Sequence, residues 1–153
     1  NSLYIEPELC DVHNQNLAAK YALMEKNEVR WEEVQCDDAE LVITAYGTPA
    51  RIALTAIDVL RAEGYKVGLF RPVTIWPFPE KAFKEVCPNV KGFITVELND
   101  NGQMVEDVAL AVKRNCRADT PVYCLPYVFE MVQPKRVVED FAKIKQGEWK
   151  EAY

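Results

Sequence analysis

Five cysteines, a single histidine and a few acidic residues beside apolar runs are the groups in this 153-residue sequence equipped for chemistry. Cys10, Cys36, Cys87, Cys116 and Cys124 are widely spaced, with no Cys-x-x-Cys among them. Disulfide scaffolds, zinc sites and iron–sulfur sites want clustered thiols, so the five read as reduced, buried or half-buried small residues. His13 lies in the first helical segment, far from any nucleophile motif, which leaves a Ser–His or Cys–His mechanism without its base. No Gly-x-Gly-x-x-Gly follows a strand and no Gly-x-x-x-x-Gly-Lys is present, so neither a dinucleotide nor a phosphate cradle is encoded in the usual way. Asp37 and Asp38 precede their strand, the wrong sheet edge for a phospho-acceptor pair, and read as a solvated turn.

Glu97 is different, because it ends a buried strand just before a helix start, where backbone N–H groups act on a carboxylate. The stretch "ELNDNGQM" (97–104) supports two readings. It holds something small, with Glu97, Asn99, Gly102 and Gln103 as lining, or Asn99 to Asn101 supply turn and capping chemistry for the helix that follows. Arg51 and Arg71 pin an anion, or pair with local carboxylates or another chain.

The elements that must position these groups alternate along the chain. Residues 7–26 have helical spacing of Leu9, Val12, Leu17, Tyr21 and Met24 behind Pro7, with one face covered. "RWEEVQ" (30–35) has the alternation of a half-exposed edge strand. "ELVITA" (40–45), "KVGLF" (66–70), "GFITVEL" (92–98) and "TPVYCL" (120–125) are short apolar runs of the kind buried in a parallel sheet. Helices are expected after each: one capped by Thr48 and ended by Gly64, one from Pro79 to Pro88, one over 103–115 and one opened by Pro134. Strand then helix, four times, gives a three-layer α/β domain with a mainly parallel sheet.

Ligands and partners of such sheets use the loops beyond the strand carboxyl ends, above all where the winding reverses. If the second parallel strand neighbours the first and the chain then crosses back, the reversal lies between strands 40–45 and 92–97. Gly47 and the 97–103 loop then line the crevice. "RPVTIWPFP" (71–79) leaves one of these strand ends with two large aromatics, Trp76 and Phe78, between prolines that fix its path.

Composition narrows the function classes. With 49% hydrophobic and 27% charged residues the chain can bury a core. A net charge of −6 gives no electrostatic basis for binding nucleic acid or an anionic membrane. No apolar run approaches the ~20 residues that cross a bilayer, and the sequence reads as cytoplasmic. A first residue other than Met suggests a piece of a longer polypeptide.

The blocks "AELVITAYGTPARIALTAIDVLRAEGYKVGLFRPVTIWPFPEKAFKE" and "VELNDNGQMVEDVALAV" resemble the carboxyl-terminal domain of the α subunit of 2-oxoacid:ferredoxin oxidoreductases, above all the 2-oxoisovalerate type. The resemblance runs from about Asp38 to Val112 and includes Tyr46-Gly47-Thr48 with Arg51, Arg71 to Pro79, and Glu97 with Asn99 and Gly102-Gln103-Met104. It implies a transketolase carboxyl-terminal-like fold, a five-stranded α/β/α sandwich with strand 30–35 antiparallel at one edge. Residues 1–36 then form a linker helix and edge strand, and 37–153 the α/β domain. It also implies an enzyme that oxidatively decarboxylates a 2-oxoacid onto coenzyme A, using thiamine diphosphate and iron–sulfur clusters to pass electrons to ferredoxin. None of these cofactors has its motif here, so this chain is expected to bind none, to carry no catalytic residue and to be silent alone. "LPYVFEMVQP" (125–134) departs from the family, with Tyr127 and Phe129 where a Gly-rich turn is usual.

Two functional readings stand, beside a third in which the domain is structural and its loops merely pack on themselves. In the first, Tyr46, Arg71, Trp76, Phe78, Glu97, Asn99 and Gln103 form one contact surface for other domains and subunits of the oxidoreductase, including a homodimer contact, with the aromatics as anchors. In the second, a stand-alone α/β module holds a small anion or nucleotide at the strand carboxyl ends, on the amides near Gly102 with Arg51 or Arg71 closing over it.

Overall fold

The computed structural model describes residues 3–128 and 132–153. Its centre follows from the two most apolar strands. β2 (Leu41–Thr44) and β4 (Gly92–Glu97) are buried at every residue, as strands covered on both faces must be. They pair in parallel, with Ile43 opposite Ile94 and Thr44 opposite Thr95. β3 (Val67–Pro72) lies parallel on the other side of β2, and β5 (Val122–Pro126) lies parallel to β4. β1 (Trp31–Val34) joins β3 antiparallel and places Glu32 opposite Arg71. The order β1-β3-β2-β4-β5 puts the reversal between β2 and β4, as the alternation of elements predicts.

Helices cover both faces. α2 (Gly47–Ala62) and α5 (Pro134–Lys145) share one face, where Ala53, Ala56, Ile57 and Phe141 pack on Ile43, Leu69, Ile94 and Leu125. α4 (Met104–Asn115) and a short irregular segment over 80–89 cover the other, with Phe70, Phe83, Phe93 and Val108 in its core. Phe83 sits between Phe70 and Phe93 at ring separations of 4.6 and 5.2 Å.

Four local expectations are corrected. The helix expected from Pro79 to Pro88 is a 3-10 turn at Glu80–Ala82, one α turn at Phe83–Val86 and a 3-10 turn at Cys87–Asn89. Pro88 supplies no N–H donor, and Phe83 and Val86 are drawn into the core within four residues. Thr48 does not cap α2: Tyr46 holds the N-cap position without a side-chain bond, and Gly47 at φ +58° places Thr48 inside the first turn. The first helix, α1 (Pro7–Asn27), forms but has no buried residue. Cys10, His13, Leu17 and Met24 are half-covered, Leu9 and Val12 are exposed, and Tyr21 meets Trp76 edge-on at 5.3 Å. Cys116, read as a reduced thiol, is disulfide-bonded, whereas Cys10, Cys36 and Cys124 are free; distance along a sequence does not forbid closeness in the fold.

Within the 125–134 segment, Tyr127 is buried, its hydroxyl donating to Asp140 Oδ2 of α5 at 3.1 Å. Asp140, fully buried, also pairs with Arg136 at 2.9 Å and Lys143 at 2.7 Å. Tyr127 thus covers the sheet end; Phe129 lies outside the described residues.

Candidate functional site

The exits of β3, β2 and β4 lie in a row at one end of the sheet. Each exit holds one of the residue groups singled out from the sequence. The last begins with Glu97, 1% exposed at the end of β4. Its Oε2 accepts the N–H of Gln103 at 2.7 Å, the N–H of Met104 at 2.9 Å and the amide of Asn99 at 3.2 Å, and its Oε1 accepts the N–H of Val105 at 2.9 Å. The open end of α4 is therefore closed by a carboxylate arriving from the strand. The capping expected of Asn99 to Asn101 is carried out by Glu97.

Gly102 makes this closure possible. It takes φ +72°, and a Cβ there would lie 2.7 Å from Cys124 Sγ, 2.8 Å from Val105 Cγ1 and 3.2 Å from Glu97 Oε1. Burial pushes the Cys124 thiol up from its usual pKa, which favours its neutral form. Thr44, Thr95 and Cys124 stand in register across β2, β4 and β5. The sequence reading did not include this small polar row; the available signal was a Thr near the end of each of two otherwise apolar strands.

Tyr46, Gly47, Thr48 and Arg51 surround the start of α2 at the exit of β2. All four are exposed, and no ion pair of Arg51 is found among the described residues. Arg71, at the exit of β3, pairs with Glu32 across the β1–β3 edge at 2.9 Å and turns toward that edge. The following loop is latched to the start of β1, where the Arg30 N–H donates to Thr74 Oγ1 at 3.0 Å and the Thr74 hydroxyl donates to the Pro77 carbonyl at 2.9 Å. This latch presents Trp76 at 52% exposure. Phe78 is half-buried, its ring 5.9 Å from Phe83. Trp31, Trp76, Phe78 and Lys81, with Glu25 and Lys26 of α1, line a groove of about 610 Å³.

With neighbouring strands about 4.8 Å apart, the β3 exit stands roughly 10 Å from the β4 exit. The predicted residues are thus brought to one end of the sheet but form three separate clusters. Chemically, only the Glu97 cluster is a tight constellation; its carboxylate is satisfied within the chain, whereas the buried Asn99 Oδ1 beside it has no hydrogen-bond partner among the described residues. Among the described residues no group of three or more His, Cys, Asp or Glu side chains converges on a metal position. The α4 amides that would suit a phosphate are held by Glu97. The donor set at this end therefore fits neither an iron–sulfur cluster nor a diphosphate at α4, and no reaction step is assigned to it.

Comparison with known proteins places this geometry among relatives. The family described as pyruvate:ferredoxin oxidoreductase core domain II matches residues 39–127. Ketoisovalerate oxidoreductase subunit VorB of Methanothermobacter marburgensis is 44% identical over 110 residues, covering 72% of this chain and 31% of its own length. 2-Oxoglutarate synthase subunit KorA of Methanocaldococcus jannaschii is 30% identical, covering 72% of this chain and 29% of its own. The chain thus spans about a third of the length of the curated relatives it matches. A solved 2-oxoglutarate:ferredoxin oxidoreductase from Magnetococcus marinus, with 2-oxoglutarate, coenzyme A and succinyl-CoA bound, superposes at a TM-score of 0.68 with 19% identity, over 92% of this chain and 24% of its own. At that identity the likeness concerns the fold.

Proposed function

Because this chain belongs to the pyruvate:ferredoxin oxidoreductase core domain II family, we propose that it is the assembly domain of the α subunit of a 2-oxoacid:ferredoxin oxidoreductase of the ketoisovalerate type. The enzyme would decarboxylate a branched 2-oxoacid oxidatively, form the acyl-CoA and pass two electrons to ferredoxin. Thiamine diphosphate, iron–sulfur clusters and coenzyme A chemistry belong, on this reading, to the rest of the subunit and its sisters. Residues 1–36 lead in from that remainder and lend β1 to the sheet edge, while 37–153 dock. The 44% identity to a ketoisovalerate oxidoreductase subunit supports the substrate class.

The observation that carries the docking role is Trp76, 52% exposed on a loop stiffened by three prolines and two Thr74 hydrogen bonds. A large aromatic held rigidly in water loses little conformational entropy when covered, which suits an interface anchor. Tyr46 and Arg51 extend this surface across the sheet end, and a homodimer contact through it is part of the proposal. The rival, an anion on the amides near Gly102, is disfavoured because Glu97 already occupies the α4 amides at 2.7 to 2.9 Å.

The test is made in the complete enzyme. Trp76→Ala with Phe78→Ala is expected to shift the complex toward smaller species in light scattering and to lower 2-oxoisovalerate turnover in proportion. Unchanged assembly would overturn the docking role. Ferredoxin reduction by the 153-residue chain alone, given thiamine diphosphate, coenzyme A and 2-oxoisovalerate, would overturn the claim that it is silent.

A further inference from the structure

Arg51 differs from every other arginine of the chain. Arg30, Arg61, Arg71, Arg114, Arg117 and Arg136 each stand 2.7 to 3.7 Å from a carboxylate. Exposed Arg51 has no ion pair or hydrogen bond among the described residues, although Asp and Glu outnumber Lys and Arg by 24 to 18.

The helix that carries it explains the isolation. A helical side chain meets those three and four positions away, and around Arg51 these are Gly47, Thr48, Leu54 and Thr55, none of them acidic. The first turn of α2 has no acidic residue either, and the amino end of a helix disfavours a cation. The charge of Arg51 therefore adds nothing to the stability of α2. It does stand at the sheet end where apolar groups face water: Tyr46 at the β2 exit and Leu98 at the neighbouring β4 exit are both exposed. Side chains of this kind, once covered, keep water from a charged pair beside them.

Resting on the docking role proposed above, we propose that Arg51 is the electrostatic anchor of that surface and takes a Glu or Asp carboxylate of the partner subunit. The guanidinium fork offers parallel N–H donors to both oxygens of a carboxylate. In open water a single exposed guanidinium holds a free ion only weakly. A carboxylate carried on a docked surface has already lost its freedom to the apolar contacts, and the pair strengthens as water is excluded. That difference selects a partner's side chain over a small anion. On a chain of net charge −6, a position that accepts a carboxylate also fixes the register of docking.

The complete enzyme is diluted and its dissociation into subunits followed by light scattering. Arg51→Ala should raise the dissociation midpoint at least about 30-fold, Arg51→Glu more, and Arg51→Lys, which keeps the charge without the fork, less. Sodium chloride should weaken the parent assembly more steeply than the Arg51→Ala assembly. The 153-residue chain with Arg51→Ala should melt no lower than the parent chain; a lower melting temperature would give Arg51 a structural role and overturn the proposal. If all three variants assemble at the parental midpoint while Trp76→Ala with Phe78→Ala still weakens assembly, the anchor falls and the docking role stands. If neither set weakens assembly, both fall. Saturable binding of inorganic phosphate to the parent chain that Arg51→Ala abolishes would assign Arg51 to a free anion and likewise overturn the proposal.

Discussion

Glu97 yields the sharpest prediction, because two accounts of it assign opposite outcomes to the same substitutions. If it is the cap of α4, Glu97→Ala strips a charged acceptor from three backbone N–H groups and the Asn99 amide. The Met104 and Val105 N–H bonds are buried, and each orphaned donor costs about 1–3 kcal/mol. Gln103 is exposed, and water replaces part of its loss. Relief of the buried charge returns some of the total, leaving a net cost of about 3 kcal/mol. For a domain of this size that lowers Tm by about 6–12 °C. Glu97→Gln keeps one oxygen for the three donors on Oε2 but turns an NH2 toward the Val105 N–H, so about half that loss is expected. Calorimetry on the full chain, with amide exchange at residues 103–105, provides the readout. If both variants melt within about 1 °C of the parent while the complete enzyme loses turnover, Glu97 serves the reaction and the capping argument fails.

Gly102→Ala combines a positive φ with contacts of 2.7 and 2.8 Å, so it should cost at least about 2 kcal/mol. Adding Cys124→Ala removes the nearer obstacle, and denaturant melts should show the double variant more stable than the sum of the singles predicts. Burial, aided by the Glu33 carboxylate, raises the Cys36 thiol from its usual 9.0 to about 11. A folded pKa above the unfolded one gives stability that is complete below pH 9 and lost as pH rises toward 11, by up to about 3 kcal/mol. Denaturant midpoints of the parent should fall across that window more steeply than those of Cys36→Ala; equal slopes would refute the shift. Disulfide-exchange labelling at pH 8 should modify half-exposed Cys10 well before Cys36.

Strand order and layers were legible because binary pattern and connectivity constrain them. Four apolar runs separated by helix-length segments admit few right-handed arrangements, and a β2–β4 reversal is among the simplest. Where the reading failed, residues distant in sequence competed with local signals. Phe83, seated between Phe70 and Phe93, helps break the helix that Pro79 seemed to begin. The apolar spacing in α1 suggests a covered face, yet periodicity names a face without naming its cover.

The candidate site divides in the same way. That Glu97 would stand beside the α4 start was written in the sequence, because a buried strand ending in Glu seven residues before Met104 leaves little other path. Which way its oxygens point, and hence that it closes the helix instead of waiting for a ligand, required Gly102 to fit against Cys124, which lies 22 positions further along the chain. Proline spacing could forecast that Trp76 stands on a stiff loop; its exposure depends on the Thr74–Arg30 latch across 44 residues. Sequence alone determined the alternation and charge of the elements, since these depend on side-chain type and local period. Tertiary structure decided which polar groups were already satisfied and which apolar groups still face water, because hydrogen bonding and burial belong to pairs of residues.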